Sequence, residues 1–227
     1  MIPDITLKDF FANLLTGSAP VYLAIIFFWA VFAFALYVFL KKPEKQRAYT
    51  RAVWSVIGFR ALYALLLTAG QYYVWSKNSF TESFLNKPLG DTVPLGFVKD
   101  LPWIFNSKFG YFIFYSWGRF WLDVVISIGA ALIFWWFLKV LERHKERFFE
   151  TGETTLGLLC ALVVGWPRFI AFVPLIFFSV LIVSIFRRLA FKEEFTTLSY
   201  SFLFALLLTL AFGGAILGYF NLNLLAV

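Results

Sequence analysis

The chain is nearly free of the residues from which most soluble sites are built. Cys160 is its one cysteine and His144 its one histidine. A single cysteine excludes a disulfide framework and a Cys-based metal site. A single histidine excludes a His-rich metal centre and the phosphatase constellations that use several histidines. Charge is scarce as well: Asp, Glu, Lys and Arg make up 15% of the residues, against about 25% in an ordinary soluble domain. The sequence has no Walker-type phosphate loop, no GxGxxG behind a strand, no HExxH and no GxSxG, so the signatures of nucleotide, zinc-protease and serine-hydrolase chemistry are missing. No metal and no cofactor is expected.

What fills the chain instead is apolar. Hydrophobic residues make up 61% of it and aromatic residues 22%, with a mean hydropathy of +0.80. Too little polar surface remains to cover one aqueous core, so the solvent for most side chains must be lipid. The expected fold class is an all-α integral membrane protein of about six transmembrane helices. The net charge of +7 would suggest nucleic acid in a soluble protein. Here the basic residues stand between apolar spans, where they act as topology signals and headgroup contacts. The lipid bilayer is therefore the expected partner and nucleic acid is not.

Spans of the length needed to cross about 30 Å of hydrocarbon are expected at 20–40, 52–75, 111–138, 154–165, 169–186 and 197–220, within a single polytopic domain of 227 residues. Residues 1–18 read as a short amphipathic stretch. It lacks a basic leader region, and no small-residue cleavage site follows the first span, so that span reads as a retained helix. The apolar run 154–186 is too long for one helix and is broken by Gly165-Trp166-Pro167-Arg168. Proline removes a helix donor and disfavours helix in the residue before it, so two helices joined by a tight turn are expected. The longest polar stretch, 76–110, is an expected outer loop. In the last span, Gly213, Gly214 and Gly218 allow close helix approach.

Counting basic residues orients these spans. The expected loops 41–51, 139–153 and 187–194 hold 12 Lys or Arg in 34 residues, whereas the N-terminal stretch and 76–110 hold five in 53. With six spans all three basic loops fall on one side, the cytoplasmic side of a cell membrane, and both termini lie outside. Tyr72, Tyr73, Trp75, Trp103, Tyr111, Tyr115, Trp166 and Tyr219 stand near span ends, as an aromatic belt requires.

Ionisable groups inside a span are costly and mark candidate sites. Arg60 lies two to three turns into the second span. Arg119 and Asp123 are spaced i,i+4 in the third, so they share a helix face and can pair. Gln71 and the cluster Thr196, Thr197, Ser199, Tyr200 and Ser201 suit hydrogen bonds between helices or the lining of a polar cleft. His144, in a basic run, reads as a solvated loop residue.

The order of motifs over about residues 120–219 resembles the membrane core of type IV prepilin peptidases, the GxGD-type intramembrane aspartyl proteases. Leu122-Asp123-Val124-Val125-Ile126-Ser127-Ile128-Gly129-Ala130 is similar to that family's GDAxxGA helix. A basic loop, Gly152-Glu153-Thr154-Thr155-Leu156-Gly157-Leu158-Leu159 and then Gly165-Trp166 follow, where the family has GxGDxKLL, a short helix and GW. Phe191–Ser199 and the helix after it stand where the family has a basic loop and PFGPFLALG. The resemblance implies a prepilin-peptidase-like bundle in the C-terminal half. With Gly152 set on the first glycine, Thr155 stands where the catalytic aspartate belongs, and a hydroxyl cannot serve in a dyad of two carboxyls sharing a proton. The family's zinc-type cysteine pairs and its N-terminal motif are absent.

Three readings follow. One is a degenerate, non-catalytic or altered-activity relative, which binds a membrane protein or a prepilin-like substrate. Another is an active membrane hydrolase using Asp91 (in Gly90-Asp91-Thr92-Val93-Pro94), Asp123 or Glu153. The third is a small transporter or lipid-binding protein built around Arg60, Arg119 and Asp123.

Overall fold

A backbone surrounded by apolar side chains has to satisfy its own hydrogen bonds, and the helix does so within one segment. In a computed structural model that describes residues 17–41, 45–89, 106–144, 150, 152–191 and 197–225, every regular element is helical. In chain order they are α1 (Ala19–Lys41), α2 (Lys45–Lys77), α3 (Ser79–Leu85), α4 (Gly110–Ser116), a π-helical turn (Trp117–Trp121), α5 (Leu122–His144), α6 (Glu153–Val164), α7 (Phe169–Phe191) and α8 (Leu198–Tyr219), followed by a 3-10 turn (Leu222–Leu225).

Five helical runs are long and apolar enough to cross a membrane: α1, α2, the run Gly110–His144, Phe169–Leu189 within α7, and α8. α1 shows why. Its 23 residues extend about 35 Å at 1.5 Å per residue, and Val21, Tyr22, Ile26 and Leu40 are left on its outer surface. Outward-facing rows of this kind are stable against lipid. The expected span 154–165 is different. α6 has 12 residues, about 18 Å of helix, and is not among the helices of crossing length.

The polar segments differ from expectation in a regular way. Lys45–Arg51, expected within a loop, forms the first turns of α2, because Lys, Gln, Arg and Ala are strong helix formers. α5 likewise continues to His144, with Lys139 and Glu142 paired at 2.7 Å one turn apart. α7 carries Arg187 and Arg188 in its last turns. The described part of 76–110 also contains a short helix, α3, capped where the Asn78 side chain accepts the Phe80 N–H at 3.0 Å. Much of the expected loop charge thus sits on helical ends.

The described residues divide into two compact units, one drawn from 17–25 and 61–122, the other from 26–60 and 123–225. The first has an aromatic core. Trp75 is buried, with Tyr115 at 4.9 Å between ring centroids, Phe112 at 5.6 Å and Tyr111 at 6.3 Å. Trp75, which stands near a span end, is the centre of this packed cluster.

The second unit is organised around α6. Leu156, Leu159, Cys160, Leu162 and Val163 are all buried, as expected of a helix that is apolar on every side. Phe172 and Phe202 are buried in the same core. Gly157 permits this packing: a Cβ there would run into the end of Leu138 and stand 3.4 Å from the Phe202 ring. Gly157→Val is expected to overpack the core by about 1–3 kcal/mol, read as a lower unfolding midpoint of the purified chain in detergent. Gly129→Val, where added side-chain atoms have open space, is the control and should shift the midpoint far less.

Candidate functional site

A helix that stops inside a membrane protein leaves its last carbonyls without intrahelical partners. α6 stops at Gly165, which adopts φ +63°, ahead of a cis Trp166–Pro167 peptide. Arg60 of α2 supplies the missing donors. Its Nε donates to the Leu162 carbonyl at 2.9 Å and a terminal nitrogen to the Val163 carbonyl at 3.5 Å. The other terminal nitrogen reaches Ser127 Oγ at 3.5 Å and Asp123 Oδ2 at 3.7 Å. Phe28 packs against the guanidinium, 5.2 Å from ring centroid to Cζ. Ser127 Oγ also accepts the Trp166 N–H at 2.8 Å, so one hydroxyl ties α5 to both the arginine and the turn. Only glycine fits at 165, because a Cβ would collide with the Arg60 guanidinium.

This arrangement uses what distinguishes arginine: a planar fork of five donors that stays charged. The Arg60 side chain is 10% exposed and that of Asp123 36%. The guanidinium is therefore enclosed, while its counter-ion keeps an open side.

Glu153, at the other end of α6, forms a second polar knot. One carboxylate oxygen accepts both the Ser199 N–H at 2.8 Å and the Ser199 hydroxyl at 2.7 Å. The other accepts the Glu150 N–H at 3.0 Å. Its side chain is buried, and three donors on two oxygens suit a carboxylate. The chain enters α6 through Gly152 at φ +95°, a left-handed conformation that favours glycine, and a Cβ there would press within 3.3 Å of the Gln46 backbone.

The candidates read from the sequence therefore separate. Arg60 and Asp123 meet in an ion pair. Arg119 lies inside the π-helical turn, exposed. The ion pair of Asp123 is made with Arg60 and not with Arg119. Glu153 stands at the start of α6 and the Arg60 contacts at its end, ten residues or about 15 Å apart along the helix. Asp91 lies outside the described residues. Of the hydroxyl cluster, Ser199 is engaged by Glu153, and Ser201 is buried. Ser127 and the carbonyls of Leu162 and Val163 join this site without standing out in the sequence. The signal for them was present: a helix broken by Gly-Trp-Pro leaves orphan carbonyls, and an intramembrane arginine needs acceptors.

Arg60→Met is expected to cost about 3–5 kcal/mol, since it strands Asp123 and two buried carbonyls. Adding Asp123→Asn should recover part of that loss, and a double-mutant cycle of unfolding midpoints in detergent measures the coupling. Additive losses would show that the pair contributes nothing.

In comparisons with known proteins, the chain matches no family model, no curated protein and no solved structure. Its functional reading rests on its own residues and their geometry.

Proposed function

We propose that the chain is a multi-pass cell-membrane protein on a prepilin-peptidase-like scaffold, and that it works as a binding or assembly subunit without protease activity. The observation that carries this reading is the engagement of both described candidate carboxylates. Glu153 is held by Ser199 and the Glu150 N–H, and Asp123 by Arg60, at opposite ends of α6. An aspartyl dyad needs two carboxyls about 3 Å apart sharing a proton. The threonine at 155, aligned with the family's catalytic aspartate, supports the same conclusion. The succession of a short helix, a Gly-Trp break, a long helix and a helix opening at Ser199 supports the scaffold.

In this reading the protein keeps six membrane segments, with α6 as a short segment largely enclosed by its neighbours. Irregular backbone at membrane depth is tolerated where protein buries it, and the Arg60 contacts supply that cover at Gly165. The basic stretches 41–51, 139–153 and 187–194 then face the cytoplasm and both termini face outward. The partner is a membrane protein or a prepilin-like chain. A second reading, a small-solute or lipid-binding protein, draws support from the meeting of Arg60 and Asp123.

The test is reconstitution of the full chain in phospholipid vesicles with a leader-bearing prepilin-like peptide. Binding without cleavage is expected, and Glu153→Gln should weaken the fold by about 1–3 kcal/mol, because an amide N–H then faces the Glu150 N–H. Cleavage that disappears in Asp91→Asn, Asp123→Asn or Glu153→Gln would overturn the proposal.

A further inference from the structure

We propose that a groove in the second unit binds one glycerophospholipid, with its phosphate at a polar mouth and one acyl chain along an apolar wall. This inference is independent of the scaffold reading. The groove lies among α2, α5 and α6 and encloses about 350 Å³, within the 300–1,000 Å³ typical of small-molecule pockets.

Its lining is sorted by chemistry along the helix axes. The polar residues are Gln46 and Thr50 in the first turns of α2, Thr155 in the first turn of α6, and Lys139 in the closing turns of α5. These positions mark one end of the groove. The same end of α2 carries Lys45, Arg47 and Arg51, with Glu150 paired to Lys45 at 3.6 Å, and basic residues at a leaflet surface attract anionic headgroups. Away from the mouth the lining is Trp54, Ile57, Ile128, Leu132 and Trp135, with α6 contributing leucines.

The depth of the groove matches a lipid leaflet. From Gln46 to Ile57 on α2, and from Lys139 to Ile128 on α5, there are eleven residue steps, about 16–17 Å of helix. Half of a hydrocarbon core is about 15 Å. Polar groups thus stand where headgroups lie and apolar ones where chains lie. A lipid supplies both chemistries in one molecule, and the bilayer presents it to every outward-facing groove. Among the described residues, Lys139 hydrogen-bonds Glu142 at 2.7 Å, which occupies one of its three donors and leaves two for phosphate oxygens. The amide of Gln46 and the hydroxyl of Thr155 add uncharged donors beside it. Thr50 has turned its own hydroxyl to the Gln46 carbonyl at 3.0 Å, so it shapes the mouth without donating to the ligand.

The experiment is native mass spectrometry of the full chain in detergent, titrated with phosphatidylglycerol and, separately, with a diacylglycerol of the same chains. One phospholipid per chain is expected, bound more tightly than diacylglycerol. Lys139→Met should weaken phosphatidylglycerol about fivefold and leave diacylglycerol unchanged. Leu132→Trp fills the groove from a position that is 49% exposed and does not load the core, so it should weaken both lipids at an unchanged unfolding midpoint. Equal binding of the two lipids by the native chain would overturn the phosphate contact. Unchanged binding in Leu132→Trp would overturn the groove as the site.

Discussion

Arg60 closing the end of α6 is the contact on which the rest of the second unit depends. A buried guanidinium is costly unless its donors are satisfied and its charge is met. Here two carbonyls, one hydroxyl and one carboxylate do both. The carbonyls are available because α6 ends at Gly165, and Gly165 is required because the arginine occupies the space of a side chain. Each feature explains the next: the break, the glycine, the arginine, and the serine that holds the following turn through Trp166.

The same economy governs the start of α6. A fully apolar helix has no polar face to hold it in register, so its two ends do so. Glu153 fixes the first turn to the start of α8 through Ser199, and Arg60 fixes the last turn to α2 and α5. Between them the helix is apolar from Leu156 onward and largely buried, Leu158 alone being half-buried there. Its shortness follows too, since a helix enclosed by protein has no need to match the thickness of the bilayer. Carboxylates spent in this way hold structure, which is why the scaffold reading is preferred to a catalytic one. The groove beside α6 is lined by polar residues of which Thr50 and Lys139 already make hydrogen bonds, to the Gln46 carbonyl and to Glu142.

The sequence by itself determined the class and most of the helices. Composition demanded lipid as solvent, span lengths marked the five long helices, and Gly165-Trp166-Pro167 announced the break before α7. It also pointed to Arg60 and Asp123, because charges in apolar surroundings stand out, and to Glu153 through the order of motifs around Gly152. Local periodicity misjudged what depends on the wider chain. The i,i+4 spacing offered Arg119 as a partner for Asp123, whereas the ion pair of Asp123 is made with Arg60, from another helix. The basic stretches read as loops, yet strong helix formers extended α2, α5 and α7 into them. Only the tertiary structure decided that Arg60 meets a carbonyl 102 residues away and that Glu153 meets Ser199 46 residues away. Spacing along a chain specifies neighbours within one helix, whereas the partners of buried charges are chosen by how separate helices pack.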